Sequence, residues 1–189
     1  GDLDLYVCGY DCPNRLYINL GKIGPGQEIL FREQASDYEL DYVGASVAPA
    51  FADYDRDGDL DVLIVTNRVV PAKAPVWKFD LDADGRPTVP DHLKGIAEVV
   101  YGPHISQWDV HPAAEKDALF QNNGADVNGQ ITFTNVSASA GLRGEDFGIS
   151  ATWWDYNGDG WPDLYVANDF YDKDFLYRNE GNGKFTDVT

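Results

Sequence analysis

The chain has 189 residues, with 43% apolar and 13% aromatic side chains, enough to build a core as one domain or as a piece of a larger one. Its 32 acidic against 14 basic side chains give a formal net charge of −18, which disfavours nucleic acid and anionic membranes as partners. No stretch is long and apolar enough to span a bilayer, and no signal-peptide pattern opens the sequence.

The opening residues Gly1-Asp2-Leu3-Asp4-Leu5-Tyr6-Val7 form the tail of an acidic loop running into a strand. Cys8 and Cys12 follow in CGYDC, and a local disulfide across this turn is the expectation, with two free thiols as the other reading. RLYINLG (15–21) then reads as strand and turn, leading to Phe31. ASVAPAFAD (45–53) alternates small and aromatic residues as a strand entering the first complete acidic loop, DYDRDGDLD.

That loop fits DxDxDGxxD, a pattern that turns alternate oxygens inward around a cation. Asp53, Asp55, Asp57 and Asp61 would supply carboxylates and Asp59 its backbone carbonyl. An EF-hand would close on a bidentate Glu at the twelfth position, but Ile64 stands there, within the strand-like run Val-Leu-Ile-Val. All-oxygen ligation without Cys or His favours a hard cation, and a flexible loop of many ligands favours Ca²⁺ over Mg²⁺.

An insertion follows, approximately 68–115, holding Trp77, Trp108 and all the histidines. Within it FDLDADGRPTVPD offers a third candidate cation site at Asp80, Asp82 and Asp84, although a hairpin with its turn at Ala83-Asp84-Gly85 is the preferred reading. His104, Asp109 and His111 form the cluster most like a catalytic or transition-metal site, and satisfied loop polar groups explain them as well.

ALFQNNG (118–124) and FTNVS (133–137) restore the strand pattern, and ISATWWD (149–155) enters the second complete loop, DYNGDGWPD. Here Asp155, Asn157, Asp159 and Asp163 would be side-chain ligands, with the carbonyl of Trp161. FLYRNEG and FTDVT close the chain as further copies of the earlier strands. Repeats of strand, acidic loop, strand, link, strand, hairpin and strand have the size of propeller blades. The expected fold is therefore all-β, a β-propeller of four-stranded blades with calcium-binding loops. Its repeats lie at approximately 1–52, 53–154 and 155–189, about three blades of a larger propeller. Both ends look cut relative to the repeat, and with no Met the chain reads as part of something longer.

DYNGDGWPDLYVANDF, LYRNEGNGKFTDVT and FTNVSASAGL together resemble the FG-GAP or VCBS repeats of integrin-α-like propellers. The resemblance is nearest to proteins with an ASPIC/UnbV C-terminal domain and their relative, cartilage acidic protein. It implies a propeller, secreted or at the cell surface, with Ca²⁺ held between the first two strands of a blade by the loop residues named above. Asn157 departs by removing one charge from the second site.

The expected function is a non-enzymatic, extracellular or periplasmic scaffold that binds protein or carbohydrate, with no membrane insertion. A glycan-active enzyme and a lectin-like module are the alternatives. For the latter Trp161 and Tyr171 are the candidate sugar platforms, whereas Trp153, which aligns with Phe51, is expected to pack in the core. GxSxG, HExxH, P-loop and Rossmann patterns are absent from the sequence.

Overall fold

β-branched and aromatic residues in short runs, separated by Gly, Asp and Asn turns, produce a chain made of antiparallel strands. The computed structural model describes all residues except 1, 24–25, 27, 69–78, 103–106, 145–146 and 170–172. The first half contains β1 (Leu5–Val7), β2 (Tyr10–Pro13), β3 (Arg15–Ile23), β4 (Glu28–Glu33), β5 (Val43–Ala52) and β6 (Asp61–Thr66). Among the described residues the insertion holds two antiparallel strand pairs, β7 (Asp80–Leu81) with β8 (Pro87–Thr88) and β9 (Ala97–Gly102) with β10 (Gln107–Pro112). Then come β11 (Ala118–Ala125), β12 (Ile131–Asn135), the short helix α1 (Ser137–Ala140), β13 (Gly148–Trp154), β14 (Asp163–Asn168), β15 (Phe175–Asn179) and β16 (Phe185–Asp187).

Three sheets carry the architecture, ordered β1-β3-β4, β12-β11-β6-β5-β2 and β13-β14-β15-β16. The fold is all-β and propeller-like in its repetition of meandering sheets, and among the described residues no sheet closes on itself. The middle sheet is packed on both faces, which explains the unbroken apolar run in β6, where every residue is buried. Val62 and Ile64 join Leu16, Phe120 and Phe133 in a cluster that includes the flanks of β1 and β3. Leu63 and Val65 point the other way, into a cluster with Leu164, Val166, Phe175, Tyr177 and Phe185 of the third sheet.

Close approach of β13 to β6 depends on Gly148, where a Cβ would lie 2.4 Å from Val65 Cγ1 and 2.6 Å from the Thr66 carbonyl oxygen. Trp153 packs against the same cluster, stacked on Tyr54 with centroids 6.2 Å apart, and donates its indole N–H to the Ala50 carbonyl at 3.1 Å. Its aligned counterpart Phe51 remains 45% exposed, edge-on to Tyr6, so equivalent aromatics are buried unequally.

The expected disulfide is corrected: Cys8 and Cys12 are free thiols. The reason is non-local pairing. β2 leaves its own sheet to pair with β5, placing Cys12 opposite Gly44, while Cys8 packs against the cluster between the first two sheets. Burial pushes the Cys8 thiol up to about 11.

Candidate metal centre

The first acidic loop joins β5 to β6, so its last aspartate opens a fully buried strand. Asp61 Oδ2 accepts the Tyr54 N–H at 3.2 Å and Oδ1 accepts the Asn122 N–H at 2.8 Å, so this carboxylate fixes both the loop and the neighbouring β11. Asp53, Asp55 and Asp61 each present an oxygen, and these atoms all lie within 4.8 Å of one another. Asp53 Oδ2 accepts the Gly58 N–H at 3.2 Å, whereas its Oδ1 is buried without a hydrogen-bond partner. Asp55 is steadied by Gln121, whose Nε2 donates to Oδ2 at 2.6 Å.

Burial pushes the Asp61 carboxyl up to about 7; the Asn122 and Tyr54 N–H groups pull against this, and the charges of Asp55 and Asp57 add to it. Converging carboxylates and an unpartnered buried oxygen form a cage that a hard cation would neutralise. The Asp57 carboxylate stands outside the converging trio, and its Oδ1 accepts the Asp59 N–H at 2.9 Å.

The second loop joins β13 to β14 and repeats the anchor: Asp163 accepts the Tyr156 N–H at 3.0 Å and the Asn179 N–H at 2.7 Å. Asp155 differs from Asp53. Its Oδ1 accepts the Gly158 and Asp159 N–H groups at 2.8 and 3.1 Å, and its Oδ2 accepts that of Gly160 at 2.8 Å. Asn157 donates to Asp159 Oδ2 at 2.8 Å, and Asp159 Oδ1 accepts the Trp161 N–H at 2.9 Å. Among the described residues Asp53, Asp55 and Asp61 are the one group of three carboxylates that converges; their counterparts in the second loop are Asp155, Asn157 and Asp163, where an amide replaces the middle carboxylate.

Nor do Asp80, Asp82 and Asp84 converge, because Asp82 Oδ1 accepts the Asp84 and Arg86 N–H groups, each at 2.9 Å, in the β7–β8 hairpin turn. His104 and Tyr171 lie outside the described residues, as do the side chains of Asp109 and His111.

Sequence reasoning missed a set of asparagines. Asp4, Asp61 and Asp163 each accept the backbone N–H of an asparagine in the following long strand, Asn19, Asn122 and Asn179, at 2.8, 2.8 and 2.7 Å. Each asparagine returns its Nδ2 to the carbonyl just before its aspartate, that of Leu3, Leu60 or Pro162. Each Oδ1 caps a glycine two residues on, and Gly21, Gly124 and Gly181 all hold positive φ. The repeated Asn-x-Gly in RLYINLG, ALFQNNG and FLYRNEG was the available signal. A second repeated clamp ties the links: Asn14, Asp117 and Asp174 accept the N–H groups of Gly9, Thr66 and Asn168 at 2.7, 2.8 and 2.9 Å.

Beside the loops lies a cleft of about 390 Å³ lined by Asp55, Gln121, Ser139, Trp161 and Gly181–Gly183. No helix among the described residues is long and apolar enough to cross a membrane.

Comparison with curated proteins finds no significant match. A sequence model of the FG-GAP-like repeat matches residues 1–64 and 155–189, just over half of the chain. The matched segments contain both acidic loops, β6 as far as Ile64 and all of β14, and the unmatched stretch holds the insertion. By this match the chain belongs to the FG-GAP-like repeat family.

Proposed function

We propose that this chain is a calcium-binding β-propeller module, about three blades of a larger propeller, that serves outside the cell as a non-catalytic scaffold for a protein or glycan ligand. The observation that carries the proposal is the trio Asp53, Asp55 and Asp61, within 4.8 Å, together with the unpartnered buried Oδ1 of Asp53. Family membership supports the extracellular setting, since FG-GAP-like repeats are typical of adhesion and scaffold propellers. Affinity to the ASPIC/UnbV group belongs to the same proposal and rests on the motifs quoted above.

Calcium acts here through folding. Asp53, Asp55 and Asp61 would hold the ion: their carboxylates repel one another and burial drives Asp61 towards its protonated form, so a bound cation would supply the counter-charge that steadies the loop joining β5 to β6. Titration calorimetry with Ca²⁺ on the chain and on Asp53→Ala tests this. Heat of binding that Asp53→Ala diminishes is expected; no heat, with no bound metal by elemental analysis, would overturn the proposal.

The cleft favours carbohydrate as the ligand class, because a carboxylate, amides, a hydroxyl and an indole line it together. Screening against neutral oligosaccharides, with Ser139→Ala and Asn182→Ala as cleft variants, separates this from protein adhesion. Binding that ignores both variants would remove the cleft from consideration.

A further inference from the structure

The acidic loops belong to different sheets, yet they are joined twice, once through a bridging asparagine and once directly. Asn179, 2% exposed at the end of β15, donates Nδ2 to the Tyr54 carbonyl in the first loop at 2.8 Å and to the Pro162 carbonyl in the second at 3.0 Å. Its own N–H is held by Asp163, and the Tyr54 N–H is held by Asp61. The closing aspartates of the two loops are thus connected through two residues, in the order Asp61, Tyr54, Asn179, Asp163.

The second contact crosses the surface. Arg56 places its guanidinium carbon 5.2 Å from the centroid of the Trp161 ring. Arg56 has φ 62°, a left-handed conformation, at the place where the second loop has Gly158 with φ 76°. A side chain is therefore tolerated at a position better suited to glycine, and it is the side chain that reaches across.

We propose that Asn179 and Arg56 are positioning residues that couple the loops, so that an ion entering the first loop orders the second. This rests on the reading of the first loop as a calcium site. Closing Asp53, Asp55 and Asp61 on a cation fixes the Tyr54–Asp55 peptide, whose carbonyl orients the Asn179 amide. Asn179 in turn fixes both Asp163 and the Pro162 carbonyl, and Arg56 carries the same closure to Trp161. Whatever orders the second loop strengthens the first by the same factor.

The test is amide exchange followed by mass spectrometry on the whole chain, with Ca²⁺ alone as the probe, in an Asp159→Asn background shown by calorimetry to bind a single ion. Filling the first loop is expected to slow exchange across Gly158–Trp161 by about fivefold or more, while the Asp126–Gln130 turn, which joins neither loop, stays unchanged. Asn179→Ala or Arg56→Ala should cut that protection below about twofold, with the ion still bound. Arg56 is exposed, so its variant keeps the test available should Asn179→Ala fail to fold. Calcium bound with no protection in the second loop, or protection that survives Arg56→Ala in full, would overturn the coupling and leave the calcium site standing. No binding at all would overturn both.

Discussion

Asp53 and Asp155 hold the same place in loops of the same pattern, but Asp155 gives both oxygens to backbone N–H groups whereas Asp53 leaves one buried and unpartnered. The surrounding residues follow suit. The second loop has glycines at both of its left-handed positions and Asn157 in place of a charge; the first has Arg56 at one of them and Asp55 as an additional carboxylate. One loop is held by its own turn hydrogen bonds, and the other concentrates negative charge around a gap. Loops of one pattern therefore differ in how much a cation adds, and the first loop should depend on calcium more than the second.

The largest effects should come from the anchors the loops share. Asp61→Ala and Asp163→Ala each strand two backbone N–H groups and should each cost roughly 2–4 kcal/mol in denaturant unfolding. They should part company in calcium: Asp61→Ala removes most of the calcium-dependent stability, Asp163→Ala little of it. A pH series sharpens the contrast. The Asp61 carboxyl is raised to about 7 from an ordinary value of 3.8, so the folded state holds its proton more tightly than the unfolded one. In chelator, its contribution makes stability fall as pH rises from about 4 to 7, and calcium should reverse that fall by stabilising the carboxylate. Midpoints of thermal unfolding across pH, with Asp61→Asn as the control, read this directly.

Smaller effects test the loop backbones. Gly158→Ala should cost about 1 kcal/mol by forcing a side chain to positive φ, and Arg56→Gly should gain up to about 1 kcal/mol, offset by about 0.5–1 kcal/mol from the lost Trp161 contact. Smaller still, Asn157→Asp should tighten calcium binding at the second loop several-fold with little change in chelator, as seen by calorimetry.

Much of this was legible in the sequence because it is local. The DxDxDGxxD spacing located both loops, and the apolar runs behind them placed Asp61 and Asp163 at strand starts, where β6 and β14 begin. The turn at Gly85 was likewise readable, as was core packing of Trp153. What escaped was set by partners distant in the chain. β2 pairs with β5 rather than folding back on its own link, which separates the roles of Cys8 and Cys12. Asn-x-Gly reads as an ordinary turn until Asn19, Asn122 and Asn179 are seen gripping the loop aspartates. The difference between Asp53 and Asp155 depends on which N–H groups the loop backbone turns inward, and the identity of the aspartate carries no trace of it.

The most direct measurement is thermal unfolding in calcium and in chelator for the wild-type chain, Asp53→Ala and Asp155→Ala. Calcium at about a hundred times its dissociation constant should raise the wild-type midpoint by about 5–10 °C. That rise should vanish in Asp53→Ala and persist in Asp155→Ala. Equal wild-type midpoints in calcium and chelator, or a rise that Asp155→Ala abolishes and Asp53→Ala spares, would contradict the assignment of the first loop as the structural calcium site.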